Sequence, residues 1–403
     1  MRHRLYIAAI ALTLAHAGAA PVHAQLGGAS LTPVAEGRRG GWSVTPSLDY
    51  AFVWDSNVLF ENENVGSDLV SEGQHMVQPK GVLAFRGRRT LFDVQYNGAF
   101  VQHPRLPSLN SYDQRLAIHA ERQLSRRTSW FVRHAATVTP TTELAELVGV
   151  PFTRLGVHRQ DLHTGIDTSM GRHTTVAASY LFQWVDFKPT GERVLLLAGG
   201  SNHGANFSLS RAISRRLALT GDYQIQRATI VDGRQFGIQN TWGGVDYRVS
   251  ELIQAFGGVG VSRLNATEGV PGRVAPAVRM GVLRHTPSAE VSVLFSKAYT
   301  PSYGFGGTSD NEELTARLRM PFGRRLTTTA SMSLRQNEPL DVGGEGFTLR
   351  SLWFYGSVGY LLNDWMRLEA FSSGARQKSE TDGRINRYQL GIQVTAATTA
   401  RIR

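Results

Sequence analysis

Residues Trp42 to Trp54 read Trp-Ser-Val-Thr-Pro-Ser-Leu-Asp-Tyr-Ala-Phe-Val-Trp and alternate in polarity. The even-numbered positions are apolar or aromatic, whereas the odd-numbered positions are mostly small or polar. Successive side chains of a β-strand point to opposite faces, so this alternation predicts a strand with one apolar and one polar face. In a soluble sandwich the polar face would meet bulk water, whereas in a membrane barrel it would face a wet lumen and the aromatic ends would lie at the two headgroup levels. One strand does not decide between these two architectures.

The same alternation recurs along the chain, for example at 92–100, 176–184, 217–226 and 314–320, and about eighteen strands can be counted from it. Short connections, such as 87–89 and 323–325, alternate with longer ones, such as 55–73 and 139–157. This pattern predicts an all-β fold, a single antiparallel up-and-down transmembrane β-barrel with short periplasmic turns and longer external loops over residues 42–397. The glycine-rich stretches 236–249 and 252–263 do not reveal which of their faces points outward.

Composition agrees with a barrel and excludes several other classes of protein. The 403 residues include 43 Lys and Arg, 32 Asp and Glu and no Cys, and the mean hydropathy is −0.20. Without cysteine there can be no thiolate metal site, cysteine nucleophile or disulfide. Beyond the N-terminus no apolar run approaches the roughly 18 residues that a spanning helix needs. A closed barrel can still cross the bilayer, because one apolar face per strand meets the lipid and every backbone group is paired.

The N-terminus has the features of a secretory signal. Arg2 and Arg4 form a basic start, an apolar run covers 5–15, and Val22-His23-Ala24 offers small residues for cleavage. The apolar run is short for an anchor helix. We therefore expect a signal peptide at 1–24, a flexible periplasmic leader at 25–41, and export to the bacterial outer membrane.

Charged residues on the polar faces of the strands are the candidate pore-lining residues. They are Lys80, Arg86, Asp93, Arg115, Glu121, Asp161, Asp167, Asp222, Arg279, Arg317, Arg319, Arg335, Arg367 and Arg387. In one interpretation they make a lumen that favours anionic solutes or acidic polysaccharide, with a basic sector formed by the last five. In the other they form a paired network that stiffens the wall. The sequence leaves both open.

Other candidate sites have plainer interpretations. The segment from Asp55 to Glu72 is rich in carboxylates, which bind calcium in some loops, but its spacing fits no known calcium loop and favours a solvated external loop. Trp353 and Tyr355 could stack on sugars or belong to an aromatic girdle. The arginines of the short turns could contact anionic lipid or serve only as polar turn residues. We expect no metal and no cofactor.

An enzyme is not expected. The chain has no Gly-x-Ser-x-Gly elbow, no metal-spaced histidine cluster and no glycine-rich phosphate loop. Its arginines are dispersed and do not form one patch, so no nucleic acid is expected as a partner either. A hydrolase on the outer wall remains the least favoured function.

The mature chain resembles the β-barrel porin 2 family of Gram-negative outer membranes. The resemblance is carried by Tyr50–Val58, and within it by Trp54, Asp55, Ser56 and Asn57, which resemble the end of the family's first strand. It implies a single outer-membrane barrel and, because many relatives are encoded beside exopolysaccharide genes, a role in polymer passage or export. One departure is the C-terminus. Barrels of this kind usually end in an aromatic residue, whereas this chain ends in Thr398–Arg403, so either a tail follows a strand that ends near Val394–Thr395 or the insertion signal is atypical.

The expected function is an outer-membrane pore for the passage or export of a polar or anionic solute or polysaccharide. Its expected partners are outer-membrane lipid and lipopolysaccharide, with polysaccharide or export-machinery proteins in the case of export. The alternative is a structural or assembly barrel with a plugged lumen in a cell-envelope secretion machine.

Overall fold

The structure is a computed structural model that describes residues 40–402 apart from 64–68, 189–196, 232, 267–270, 287–288, 305–306, 341–347 and 380–382. The predicted signal peptide and most of the predicted leader lie outside these residues. The strands are β1 Gly41–Asp55, β2 Glu72–Arg86, β3 Thr90–Gln102, β4 Ser111–Gln123, β5 Thr128–Thr139, β6 Gly156–Met170, β7 Thr174–Lys188, β8 Gly200–Ala212, β9 Leu217–Ile230, β10 Gln235–Arg248, β11 Ile253–Leu264, β12 Arg273–Thr286, β13 Ala289–Pro301, β14 Thr308–Phe322, β15 Leu326–Pro339, β16 Leu349–Asn363, β17 Met366–Ser379, β18 Gly383–Ala397 and the short β19 Ala400–Ile402. One helical turn, α1, spans Thr142–Ala145, and a 3₁₀ turn spans Pro107–Leu109.

The strands form one closed antiparallel barrel. Each strand from β1 to β18 pairs with the next, and β1 also pairs with β18, with Tyr50 opposite Val394. Closure gives every strand two neighbours, which removes the open sheet edge that lipid would not tolerate. The prediction of a single eighteen-stranded up-and-down barrel is therefore confirmed. No helix in the described part of the chain is long and apolar enough to cross a membrane.

The two faces of the wall differ in polarity as the alternation predicts. In β1 the side chains of Leu48, Tyr50 and Phe52 are about half exposed on the outside, whereas Asp49 is only 1% exposed on the inside. Large exposed apolar residues recur on the outer face of the other strands, as at Phe207 and Met280. An apolar exterior around a polar interior is the architecture of outer-membrane barrels, and the bacterial outer membrane is where this barrel resides.

The longest separations between successive strands occur at the same end of the barrel, between β1 and β2, between β5 and β6, and between β7 and β8. The opposite end has short turns such as 87–89, 171–173 and 323–325. The predicted alternation of short turns with longer connections is therefore confirmed, although only four residues separate β9 from β10 and three separate β17 from β18.

The glycine-rich strands β10 and β11 pair in full register, and Gly244 and Gly260 lie on the inner face. A Cβ atom on Gly260 would stand 1.7 Å from the carbonyl oxygen of Thr241. Only glycine permits this close approach of two strands. The glycines therefore reflect tight strand packing, which explains why alternation was weak there.

One part of the wall departs from regular pairing. The ladder between β12 and β13 stops at Val278 and Lys297, although both strands continue toward the long-loop end. Beyond that point, toward the long-loop end, β13 passes inside the barrel. There the backbone N–H of Tyr299 donates to Ser262 Oγ (3.2 Å), and the carbonyl of Tyr299 accepts from Asn240 Nδ2 (3.2 Å). These two side chains replace the ladder partners that Tyr299 loses.

The chain ends also differ slightly from expectation. The first strand begins at Gly41, one residue inside the predicted leader, and β18 continues to Ala397, beyond Val394–Thr395. Thr398 and Thr399 follow, and then β19 pairs again with β1, with Ile402 opposite Trp42. The residues after β18 thus extend the closing seam of the barrel.

Candidate functional site: the inward segment and the inner wall

The longest fully described connection, residues 140–155 between β5 and β6, folds into the barrel, and we call it the inward segment. Its base is closed by Thr142, whose N–H donates to the carbonyl of Thr153 (3.0 Å) and whose Oγ1 donates to the carbonyl of Pro151 (2.6 Å). Its tip turns at Glu146 and Gly149, which both have left-handed backbone angles, with φ of 49° and 69°. A short connection whose two ends are hydrogen-bonded to each other and whose chain reverses direction at its tip is compact enough to enter the lumen.

Polar contacts attach the inward segment to a distant part of the wall. Glu143 forms an ion pair with Arg387 of β18, and the carbonyl of Glu146 accepts from Arg335 Nη1 of β15 (3.0 Å). Gln377 of β17 donates to the carbonyl of Val150 (3.1 Å) and accepts from the N–H of Phe152 (2.7 Å). Since β1 to β4 lie between β5 and β18 along the wall, these contacts can form only across the lumen.

Apolar packing adds to this attachment. Phe152 packs with Trp353 and Ala375 of the wall and with Phe60 of the connection 56–71. Leu147 and Val150 pack with Tyr303, which lies in the connection between β13 and β14. Each fully buried side chain of this kind contributes about 1.5–3 kcal/mol. The long-loop half of the lumen is therefore narrowed by an ordered structure with its own apolar contacts.

Arg387 lies at the centre of the charged contacts. Its guanidinium contacts Asp55 Oδ2 (2.6 Å) as well as Glu143, and the ring of Phe60 lies 4.6 Å from its Cζ. Burial raises the pKa of Glu143, although the charge of Arg387 opposes that shift. Nearby, Arg154 donates to the carbonyls of Val58 (2.7 Å) and Leu109 (3.1 Å), and burial together with Arg387 lowers the pKa of Arg154 to about 10.

The family-like motif forms the upper end of the closing seam. The Asp55 carboxylate accepts from Arg387 and from Gln389 Nε2 (2.9 Å). The Ser56 N–H donates to the carbonyl of Tyr388 (2.9 Å), and Asn57 Nδ2 donates to the carbonyl of Asn386 (3.0 Å). Trp54 lies on the outer face and is 41% exposed. The motif thus joins the ends of β1 and β18.

The ladder register places all fourteen candidate pore-lining residues on the inner face. Most of them are in ion pairs. These pairs are Lys80–Asp49, Arg86–Asp93, Arg115–Asp113, Asp161–Arg159, Asp222–Arg279, Arg335–Glu313, Arg367–Glu369 and Arg387–Asp55. For the residues in these pairs, the structure agrees with the interpretation of a paired network. The ion pairs of Arg335, Arg367 and Arg387 also reduce the net positive charge of the expected basic sector.

Arg317 and Arg319 of β14 differ from the rest. Both side chains are exposed on the inner face, and neither forms an ion pair with a carboxylate of the described residues. They lie toward the short-turn end, away from the inward segment. Glu121 and Asp167, on β4 and β6, are likewise without an ion pair in the described chain. That any of these residues lines a conducting pore stays a prediction.

Arg279 is held in an unusual way. Its side chain crosses the inner face of β11 and β10 to pair with Asp222 of β9, and its Cζ lies 5.4 Å from the ring centroid of Trp242. A Cβ on Gly258 would stand 3.4 Å from Arg279 Nε. The Arg279 side chain thus reaches from β12 to β9 across the glycine-rich β11 and β10.

Two further expectations are settled by burial. Trp353 and Tyr355 face inward, but they are only 4% and 7% exposed, and Trp353 is covered by Phe152 and Arg335. They are therefore core residues here, neither girdle aromatics nor an open platform for sugars. The solvated loop expected for Asp55 to Glu72 is wrong at both ends of that segment, because Asp55 and Asn57 are fully buried and Glu72 is only 2% exposed. Glu72, the first residue of β2, accepts from the N–H of Arg105 (2.6 Å) and contacts His103 Nδ1 (3.2 Å). The described residues include no group of three His, Asp or Glu placed to share a metal ion, and Asp68 lies outside them.

The inward segment was not predicted from sequence. The alternation predicts a long connection at 139–157 but does not indicate where that connection lies. Leu144, Leu147, Val150 and Phe152 make it more apolar than a water-exposed loop needs to be, and this pattern could have indicated a buried position. Gln377, which binds both sides of the segment, carries no comparable pattern.

No protein-family model matches the chain, and no curated protein matches it. Solved structures of similar fold include Pseudomonas aeruginosa OpdK with vanillate, at 12% identity and a TM-score of 0.44, covering 89% of this chain and 99% of that one. They also include P. aeruginosa OccK3 (OpdO), at 12% and 0.44 with coverage of 88% and 96%, and OpdQ, at 10% and 0.45 with coverage of 90% and 98%. At such identity these likenesses say nothing about substrate.

Proposed function

We propose that the protein is an outer-membrane channel for small polar solutes, and not an enzyme, whose long-loop half is narrowed by the inward segment. The observation that carries this proposal is the attachment of residues 140–155 to β15, β17 and β18 across the lumen. A segment that crosses a polar lumen sets the width of the passage beside it, and width selects solutes by size.

The exposed inner-wall residues of the short-turn half support a wet passage. Arg317, Arg319 and Glu290 all lie on the inner face with exposed side chains. Exposed charges in the interior of a barrel require water around them. The solutes that fit such a passage are small and polar, and the unpaired arginines favour anions among them.

The resemblance of Tyr50–Val58 to the β-barrel porin 2 family supports the same general function and adds polysaccharide as a candidate solute. A polymer would need a wider passage than a small solute. We therefore include polymer passage in the proposal only for a state in which the inward segment has moved away from the wall.

The plugged barrel remains a second candidate, because a specific observation favours it. Apolar clusters lie in the long-loop half of the lumen. One of them is formed by Ile230, Phe236, Ile238, Leu264 and Tyr299. A lumen filled in this way would hold partners or stiffen a machine without conducting.

Single-channel recording in planar bilayers separates the two candidates. The native chain is compared with a variant in which residues 143–150 are replaced by a short Gly-Ser linker. A narrowed channel conducts in native form and conducts several-fold better after the replacement, as lumen cross-section predicts. A native chain that is silent until the segment is removed would support the plug, and equal conductance of the two would contradict the role of the segment.

A further inference from the structure

A groove of about 510 Å³ lies on the outer face of the wall, toward the long-loop end. It is formed by β7 to β10, and its lining includes Tyr180, His203, Ala205, Ile225 and Gly237. The alternation of the strands places these residues on the face that meets lipid. The groove is thus outside the lumen and unrelated to the passage.

The lower part of the groove is apolar. Ile225 is 40% exposed, and Ala205, which lies opposite Ile225 in the ladder, is small, so the surface beside Ile225 is recessed. The ring of Tyr180 forms one side of this recess. A recess with such walls accepts a hydrocarbon chain.

The upper part of the groove is cationic. Arg227 is exposed on the outer face, donates a hydrogen bond to Gln235, and stands directly opposite His203 in the ladder. His203 Nδ1 lies 2.7 Å from the hydroxyl of Tyr180, which holds the imidazole beside the arginine. Within the described part of the chain no carboxylate forms an ion pair with Arg227.

A second arginine lies on the next strand but one, at the register of Ile225 and not at that of Arg227. Arg263 of β11 is exposed on the outer face, opposite Gln239 of β10, and it too has no carboxylate in ion-pair range among the described residues. Elsewhere along this rim Lys297 is paired with Glu312, and Lys188 with Asp186. Exposed cations without an ion pair in the described chain are also found elsewhere on the rim, at Arg350 and Lys378, but beside the groove such charge adjoins an apolar recess.

We propose that this groove binds a phosphorylated, acylated lipid of the outer leaflet, of the lipopolysaccharide type. An acyl chain lies against Tyr180, Ala205 and Ile225, and a phosphate accepts hydrogen bonds from Arg227. A guanidinium at the membrane surface binds phosphate through paired N–H donors, and it is favoured where the surrounding medium is partly apolar. The long-loop position of the groove selects the outer leaflet, where such lipids reside.

Binding of purified diphosphorylated lipid A to the protein in micelles, counted by native mass spectrometry, tests the proposal. Arg227→Gln should weaken the affinity about tenfold, the effect of one lost charge-assisted hydrogen bond. Ala205→Trp, which fills the apolar recess and leaves the charges in place, should weaken it as well. Removing both phosphates from the lipid should weaken binding to the native chain and have little effect on Arg227→Gln.

Arg350→Gln is the matched control. Arg350 is also an exposed rim arginine that donates to a glutamine of the neighbouring strand, Gln336 (3.1 Å), but it does not line the groove. Its substitution should leave the affinity unchanged. Equal loss in both arginine variants would mean a general attraction to positive charge and would overturn the proposal, as would unchanged binding in Arg227→Gln and Ala205→Trp.

Discussion

Arg387 connects three parts of the molecule, because its guanidinium pairs with Asp55 of β1 and with Glu143 of the inward segment while its backbone belongs to β18. Removing one partner of a buried ion pair leaves the other charge uncompensated, at a cost of about 3–5 kcal/mol. We expect Arg387→Gln to lower the free energy of unfolding by that amount, measured by urea titration in detergent micelles. The exposed Arg350→Gln variant should change it by less than about 0.5 kcal/mol.

The pH dependence of the channel should follow Glu143. Burial raises the pKa of Glu143 when the inward segment is attached to the wall. This attachment, which we call docking, therefore favours the protonated carboxyl of Glu143. Docking is then most stable at acid pH and weakens as the pH rises through the raised pKa. We expect conductance to fall on acidification from neutral pH toward the ordinary range of a glutamate. Glu143→Gln, which cannot titrate, should abolish this dependence, and a dependence that persists would assign it to another group.

Adjacent residues of β8 test the orientation of the wall. Phe207 is 52% exposed on the outer face near mid-strand, whereas Ser208 points inward beside Asp222. Phe207→Arg should cost about 2–4 kcal/mol, because the charge enters the hydrocarbon of the bilayer. Ser208→Arg should cost much less. Ser179, which alternation assigns to lumen water, is a poor choice for such a control because it is only 8% exposed.

Among the elements, β13 depends on side chains of its neighbours to leave the regular ladder. Ser262 is fully buried and accepts the N–H of Tyr299, and its own hydroxyl donates to Asn240 Oδ1 (2.6 Å). Ser262→Ala leaves a buried N–H without an acceptor, which should cost about 1–3 kcal/mol. Ser331→Ala, in the regularly paired β15, is the control and should be nearly neutral. Equal stability of both variants in urea would show that Tyr299 finds another acceptor.

For the whole molecule, ion preference should depend on few of the inner arginines. Arg335 and Arg367 are buried in ion pairs with Glu313 and Glu369, so their fields are largely cancelled. Arg317 and Arg319 are exposed and act on passing ions within a screening length of about 8–10 Å. We expect a preference for anions that sharpens at low salt.

Replacing Arg317 and Arg319 together by Gln should weaken that preference, measured as the reversal potential under a KCl gradient. Both side chains are exposed, so the barrel should remain folded. A cation preference that the double substitution does not change would make these arginines irrelevant to ion selection. Arg335 should not be replaced in the same variant, because its loss would also remove the hydrogen bond from its guanidinium to the carbonyl of Glu146.

Alternation along the chain was enough to predict the barrel, its strand number and the outer face. Each strand must separate lipid from water, and this requirement acts on every second residue, so it is visible locally in stretches such as Trp42–Trp54. It was likewise enough to place the charged candidates on the inner face. The glycine-rich β10 and β11 resisted this reasoning, because glycine carries no polarity from which a face can be inferred.

The position of the inward segment in the lumen could not be predicted from sequence, because it depends on contacts between residues far apart along the chain. Glu143 and Arg387 are separated by 244 positions, and Phe152 and Gln377 by 225. No local pattern shows that these residues meet, because their proximity arises from closure of the barrel and from the reach of one connection across it. For the same reason the choice between a basic sector and a paired wall was open from sequence. Ion pairing depends on distances of a few ångströms between side chains of different elements, and those distances exist only in the folded barrel.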